Sequence, residues 1–121
     1  MIPTSDLRKG NLISTEYGIL PVYVTSFNDI QVKGKDGRIL WAKNTNPVKI
    51  NSDQLIKIGF SIDEDQNYEM IIGRKGFYVC ESQDGDFVLL YRNDIGLNHY
   101  PIDFVEYIHE LQNIIYWLSR N

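Results

Sequence analysis

The sequence holds one cysteine, two histidines and four prolines in 121 residues, and each scarcity removes a class of protein. A single thiol, Cys80, leaves neither an internal disulfide nor a multi-cysteine zinc motif. His99 and His109 fall on separate expected elements, and neither has a neighbour at metal-ligand spacing. Nine glycines and four prolines are too few for a collagen-like or low-complexity chain. No apolar run approaches the roughly 18 residues of a membrane-spanning helix. The start, Met1-Ile2-Pro3-Thr4-Ser5-Asp6, lacks the basic-then-apolar order of a signal peptide. A P-loop, a dinucleotide fingerprint and a G-x-S-x-G elbow are missing too. The expectation is a soluble, cytoplasmic, non-enzymatic chain with no cofactor, no metal and no membrane partner. Its length suits one domain spanning 1–121.

What is present is an apolar fraction of 43% with 12% aromatics, enough for a packed core. Charge is distributed unevenly. Residues 1–50 carry seven basic and four acidic residues, a net of +3, whereas 51–121 carry five basic and twelve acidic, a net of −7. Such a division can orient a chain against a polyelectrolyte or a charged protein, although an ordinary solvated surface has the same composition.

Patterning predicts an α+β fold. Leu12 to Thr15, Ile19 to Phe27, Ile30 to Lys33 and Arg38 to Ala42 are short β-rich runs separated by polar turns. They predict a small, curved, SH3-like antiparallel sheet. Val48-Lys49-Ile50 reads as a further short strand. Ser52 is a candidate N-cap for a two-turn helix ending at Gly59. Tyr68 to Gly73, Phe77 to Glu81 and Phe87 to Tyr91 predict antiparallel hairpins, the last joined through Gln83-Asp84-Gly85-Asp86. From Asp103 as N-cap, Phe104, Tyr107, Ile108, Leu111, Ile114, Ile115 and Leu118 recur at helical spacing, which predicts a long amphipathic helix over 104–118.

Several chemical motifs fail on spacing. Asp63-x-Asp65-x-Asn67 starts like a calcium loop but has Tyr68 where glycine is needed and Arg74 where the bidentate glutamate is needed. Gly73-Arg74-Lys75-Gly76 has the form of a nucleic-acid backbone clamp, yet that clamp joins helices and here strands flank it. Cys80 ends a strand pattern as a small hydrophobe. His109 reads as a hydrogen-bonded packing residue at the core boundary.

Two surfaces remain. Lys33, Lys35, Arg38, Lys43 and Lys49 face one acid, Asp36, over 33–49, with Trp41 among them. Cations can follow phosphates and an exposed aromatic can stack on a base, so the segment suits contact with RNA or another nucleic acid. The preferred expectation is blander: Trp41 in the core, and lysines keeping a sheet edge soluble. The second surface is the polar side of the last helix, where Glu110, Asn113 and Trp117 align. Trp117 is either a protein-contact residue or is buried under the chain end.

Leu7-Arg8-Lys9-Gly10-Asn11, Leu55-Ile56-Lys57-Ile58-Gly59-Phe60 and Tyr107-Ile108-His109-Glu110-Leu111-Gln112-Asn113-Ile114-Ile115-Tyr116 occur in that order. Together they resemble a family of small phage and prophage proteins of Bacteroidetes, with an L-R-x-G-N start and a Y-V-H-x-L-Q-N-x-Y closing helix. The middle block departs, with Lys57-Ile58 in place of a Lys-Phe pair. The resemblance implies a protein of the bacterial host cytoplasm, a monomer or small homo-oligomer, that inhibits a host defence factor. By that implication the partner is a larger host protein or ribonucleoprotein, such as a CRISPR effector nuclease or its guide complex, and the chain is an anti-CRISPR protein. RNA would then be met through the complex. A nucleic-acid-binding accessory module using 33–49 is the alternative.

Overall fold

Period-two alternation orients both sheets of the computed structural model, which describes residues 2–26, 29–98 and 100–120. Among the described residues the fold is α+β, with two antiparallel sheets and two α-helices. Met1, Phe27 and His99, each named above, lie outside the described residues. The chain groups into two compact units: Met1–Lys49 with Tyr107–His109, and Ile50–Glu106 with Glu110–Asn121.

The first unit is a meander of β1 (Leu12–Thr15), β2 (Gly18–Thr25), β3 (Ile30–Lys33) and β4 (Ile39–Ala42), in that spatial order. Ile13, Leu20, Val22, Ile30 and Val32 point to one face and are buried with Ile2 and Leu7, while Leu40 and Ala42 pack against them. Beyond β4, Asn46 forms an antiparallel bridge with Ser14 of β1 through a reciprocal pair of 2.9 Å hydrogen bonds. The chain thus returns to the free edge of the first strand. The opening Leu7–Asn11 block is a turn device. The Arg8 carbonyl accepts from the Asn11 N–H at 3.0 Å, and the Asn11 side-chain oxygen accepts from the Arg8 N–H at 2.7 Å. Gly10 supplies the positive φ (95°) that this turn needs.

The expected strand at 48–50 is only a bridge between Lys49 and Tyr107. The short helix α1 (Ser52–Lys57) is capped by Asn51 rather than Ser52. Asn51 is extended (φ −151°, ψ 169°), and its side-chain oxygen accepts from the Gln54 N–H at 3.0 Å. The helix closes in a Schellman motif: Phe60 N–H to Leu55 O at 3.0 Å and Gly59 N–H to Ile56 O at 3.1 Å, with Gly59 at φ 118°. Of the apolar residues in that block, Leu55 and Phe60 are buried, Ile58 is half-buried and Ile56 is exposed.

The second sheet runs β5 (Ser61–Ile62), β6 (Tyr68–Ile72), β7 (Lys75–Glu81), β8 (Phe87–Arg92) and β9 (Tyr100–Val105), each antiparallel to the next. Registers Phe77↔Tyr91 and Val79↔Leu89 set four buried residues on one face. The helix α2 (Ile108–Ser119) follows, and Leu111 and Ile115 are buried. Lys75, on the same face of β7 as Phe77 and Val79 by alternation, donates from Nζ to the Leu118 carbonyl at 2.8 Å. That bond sets the end of α2 on the buried face.

The helix predicted over 104–118 begins four residues late. Phe104 lies in β9, opposite Val88 and 65% exposed. Asp103 is a strand residue whose carboxylate accepts from the adjacent Phe104 N–H at 2.8 Å, not from a later helical amide. Helical spacing extends back to Phe104 by coincidence, because the alternation of Tyr100, Ile102 and Phe104 meets the helix pattern at that residue. Pairing with β8 decides the conformation.

Candidate binding faces

On the first sheet, Gln31 is paired with Trp41 and with Val24, and Lys33 is paired with Ile39. These positions alternate with the buried ones, so they share the opposite face. Trp41 is 56% exposed, and Val24 and Ile39 are exposed as well. The expectation that Trp41 is core is therefore wrong. Strand phase explains the error: Leu40 and Ala42 face inward, which leaves no inward position for Trp41 on β4. Lys33 adjoins this face, and Lys35 is exposed in the tight turn that joins β3 to β4.

Two of the proposed cations have local acidic neighbours. Arg38 Nε lies 2.9 Å from Asp36 Oδ2 in an exposed ion pair, a kind of contact that competes weakly with an incoming phosphate. The Glu16 carboxylate accepts from the Lys43 N–H at 2.9 and 3.1 Å and from the Asn44 N–H at 3.3 Å. The Lys43 amide holds the Glu16 carboxyl below its usual value; the second amide and the Lys43 charge reinforce the shift. Glu16 is sequence-distant from the 33–49 segment and dilutes its charge at this corner.

On α2, Trp117 is 62% exposed, Glu110 is exposed and Asn113 half-buried. Burial of Trp117 under the chain end is not observed. The Tyr116 ring meets Trp117 edge-on at 5.5 Å between centroids, and the Arg120 guanidinium lies 3.9 Å over the Tyr116 ring. These contacts fix an aromatic and cationic edge beside Trp117, which leaves its ring available to a partner.

The remaining titratable candidates have structural duties. His109 is buried, with Tyr107 stacked on it at 6.1 Å. Burial, reinforced by the charge of Asp63, pushes the Cys80 thiol up and disfavours the nucleophilic thiolate. Asp63 accepts from the Asp65 and Asn67 N–H groups at 2.9 and 3.0 Å, so the acidic loop organises its own backbone. Arg74, in the turn once compared with a backbone clamp, donates two 2.9 Å hydrogen bonds to Asp94. That fork, helped by the Gly96 N–H, brings the Asp94 carboxyl down to about 2. Among the described residues, no group of three or more His, Cys, Asp or Glu side chains could hold a metal ion. No described helix is long and apolar enough to cross a membrane.

One surface escaped the sequence reading. On the outer face of the second sheet, Cys80, Val88 and Phe104 form a cross-strand row, and Tyr78 is paired with Leu90 in the next row. Ile71, paired with Gly76, continues this face and is 48% exposed. The alternation of Tyr100, Ile102 and Phe104 was its available signal, and the helical assignment of Phe104 obscured it. No family model matches the chain, and no curated protein or solved structure matches it.

Proposed function

We propose that this chain is a non-enzymatic binding protein that docks on a larger protein or ribonucleoprotein and inhibits it. The observation that carries this reading is the pair of tryptophans, Trp41 and Trp117, each more than half exposed on a regular element. An exposed Trp lowers solubility and is enriched at the energetic centres of interfaces. Trp117, with Asn113 and Glu110 beside it, serves as the protein contact. Trp41, with Lys33, Lys35, Arg38 and Lys43, serves as the contact to RNA carried by the target, through base stacking and phosphate attraction. The whole-chain charge of −4 opposes long-range capture of free nucleic acid, which favours RNA already held by a protein. The resemblance to phage proteins makes a guide-loaded CRISPR effector the first target to test.

The test is titration of a purified, guide-loaded effector with the wild type and with Trp117→Ala, reading both binding and target cleavage. The wild type should bind stoichiometrically and stop cleavage. Trp117→Ala should weaken binding by at least about 2 kcal/mol while its unfolding curve stays in place. Unfolding by Trp117→Ala would remove the helix-face contact. Tight binding of naked RNA at physiological salt would favour the accessory-module reading instead.

A further inference from the structure

The outer face of the second sheet combines exposed apolar residues with charge of one sign at one end. The Cys80–Val88–Phe104 row is flanked by the β5–β6 loop, with Asp63, Glu64 and Asp65, and by the β7–β8 loop, with Asp84 and Asp86. Asp63 is near enough to Cys80 to raise its thiol pKa. No lysine or arginine occurs in residues 60–73 or 76–91. The sheet's basic residues Arg74, Lys75 and Arg92 lie at its other end, Arg92 5.1 Å over the Tyr78 ring, so the acids at this end are not offset. Phe104 is 65% exposed at the start of this row.

The outer face of the first sheet has the opposite rim. Trp41, Ile39 and Val24 are exposed there with Lys33 alongside, and Lys35 lies on the adjoining turn. We propose that these two faces are complementary between copies, with the Trp41 face of one chain docking on the Phe104 face of a second. Association is then head-to-tail. Two rings of this size each bury about 150–250 Å², and the flanking aliphatic side chains add to that, which suits a weak interface at the small end of the range.

Strand addition at β9 is the competing way to join two copies, and the edge is blunted against it. Pro101 has no N–H to offer, and the Phe104 N–H is already held by Asp103 Oδ1 at 2.8 Å. Face-to-face docking leaves that edge unused. A heterologous contact also repeats, because each chain keeps one free face of each kind.

Sedimentation equilibrium on the protein alone tests this without any RNA, so failure of the RNA reading leaves the proposal standing and the converse also holds. At low ionic strength the average mass should rise above that of the monomer in the micromolar range, and the rise should shrink as salt screens the rims. Phe104→Lys and Trp41→Glu should each hold the chain at monomer mass. An equimolar mixture of the two should form a dimer and go no further, because each variant retains one intact face of opposite kind. Should either variant fail to fold, Ile71→Lys and Ile39→Glu take their places. A wild type that stays monomeric to about 1 mM, or a mixture that does not pair, would overturn the proposal. Variants that still associate alone would do so too.

Discussion

The two units are built alike and finished differently. Each is an antiparallel meander with one buried face and one outward face that keeps large apolar residues in solvent. The first unit carries seven basic and four acidic residues, a net of +3; the second carries five and twelve, a net of −7. Both inward faces are apolar, Ile, Leu and Val in the first sheet and Phe77, Val79, Leu89 and Tyr91 in the second, and say only that the sheets pack. The outward faces differ in rim charge and in their aromatic, Trp41 on one and Phe104 on the other. The contacts proposed for the sheets therefore draw on the half of the alternation that folding leaves unconstrained.

The sharpest way to break this comparison is to cross the inside–outside boundary. Leu111→Ala in the second unit and Ile13→Ala in the first both empty fully buried sites and should each cost about 2–5 kcal/mol in urea unfolding. Trp41→Ala and Trp117→Ala, at exposed sites, should leave the urea midpoint almost unmoved. A loss under about 1 kcal/mol for Leu111→Ala would mean that α2 does not cover the sheet as described.

A smaller effect tests whether the resemblance blocks serve folding. Gly59→Ala forces a side chain into φ 118°, with the new Cβ 3.2 Å from Met70 Cε, and should cost about 1–3 kcal/mol. All three blocks have structural explanations: the Arg8–Asn11 turn, the Schellman close at Gly59, and the buried Ile108, His109 and Leu111 of α2. They account for the architecture. Of the proposed contact residues, Glu110 and Asn113 lie within the third block, whereas Trp41, Phe104 and Trp117 lie outside all three.

Much of the fold was legible for the same reason. Strand runs β1 to β4 and β6 to β8 are dense in β-branched and aromatic residues and bounded by glycine or asparagine turns, so local sequence determines them. The two-residue β5 carries too little sequence to signal. The strand β9 is exposed along most of its length, so no burial pattern set it apart from the helix that follows. The exposure of Trp41 depends on strand phase relative to Leu40 and Ala42, which composition alone does not reveal. Glu16, brought beside Lys43 by tertiary structure, was invisible to any reading of the 33–49 segment.

The smallest expected effect concerns acid stability, where Arg74 and Asp94 of the second unit form a forked ion pair. The Asp94 carboxyl falls from an ordinary 3.8 to about 2 under Arg74. A depressed carboxylate stabilises fully above its unfolded value and loses that contribution as pH falls through the folded value. The Asp94→Asn variant should therefore show a shallower loss of stability between about pH 4 and pH 2 than the wild type. Above pH 5 the two should lose stability in parallel. Because the pair is exposed, the difference should also shrink in high salt.

The proposed division of labour between Trp41 on the first sheet and Trp117 on α2 is tested most directly by one binding comparison. Wild type, Trp41→Ala and Trp117→Ala are titrated against the same purified effector with and without its guide RNA. Trp117→Ala should weaken both complexes by about 2 kcal/mol or more, whereas Trp41→Ala should weaken only the guide-loaded complex, by about 1–3 kcal/mol. Equal losses from Trp41→Ala in both complexes, or no loss from either variant, would contradict the account.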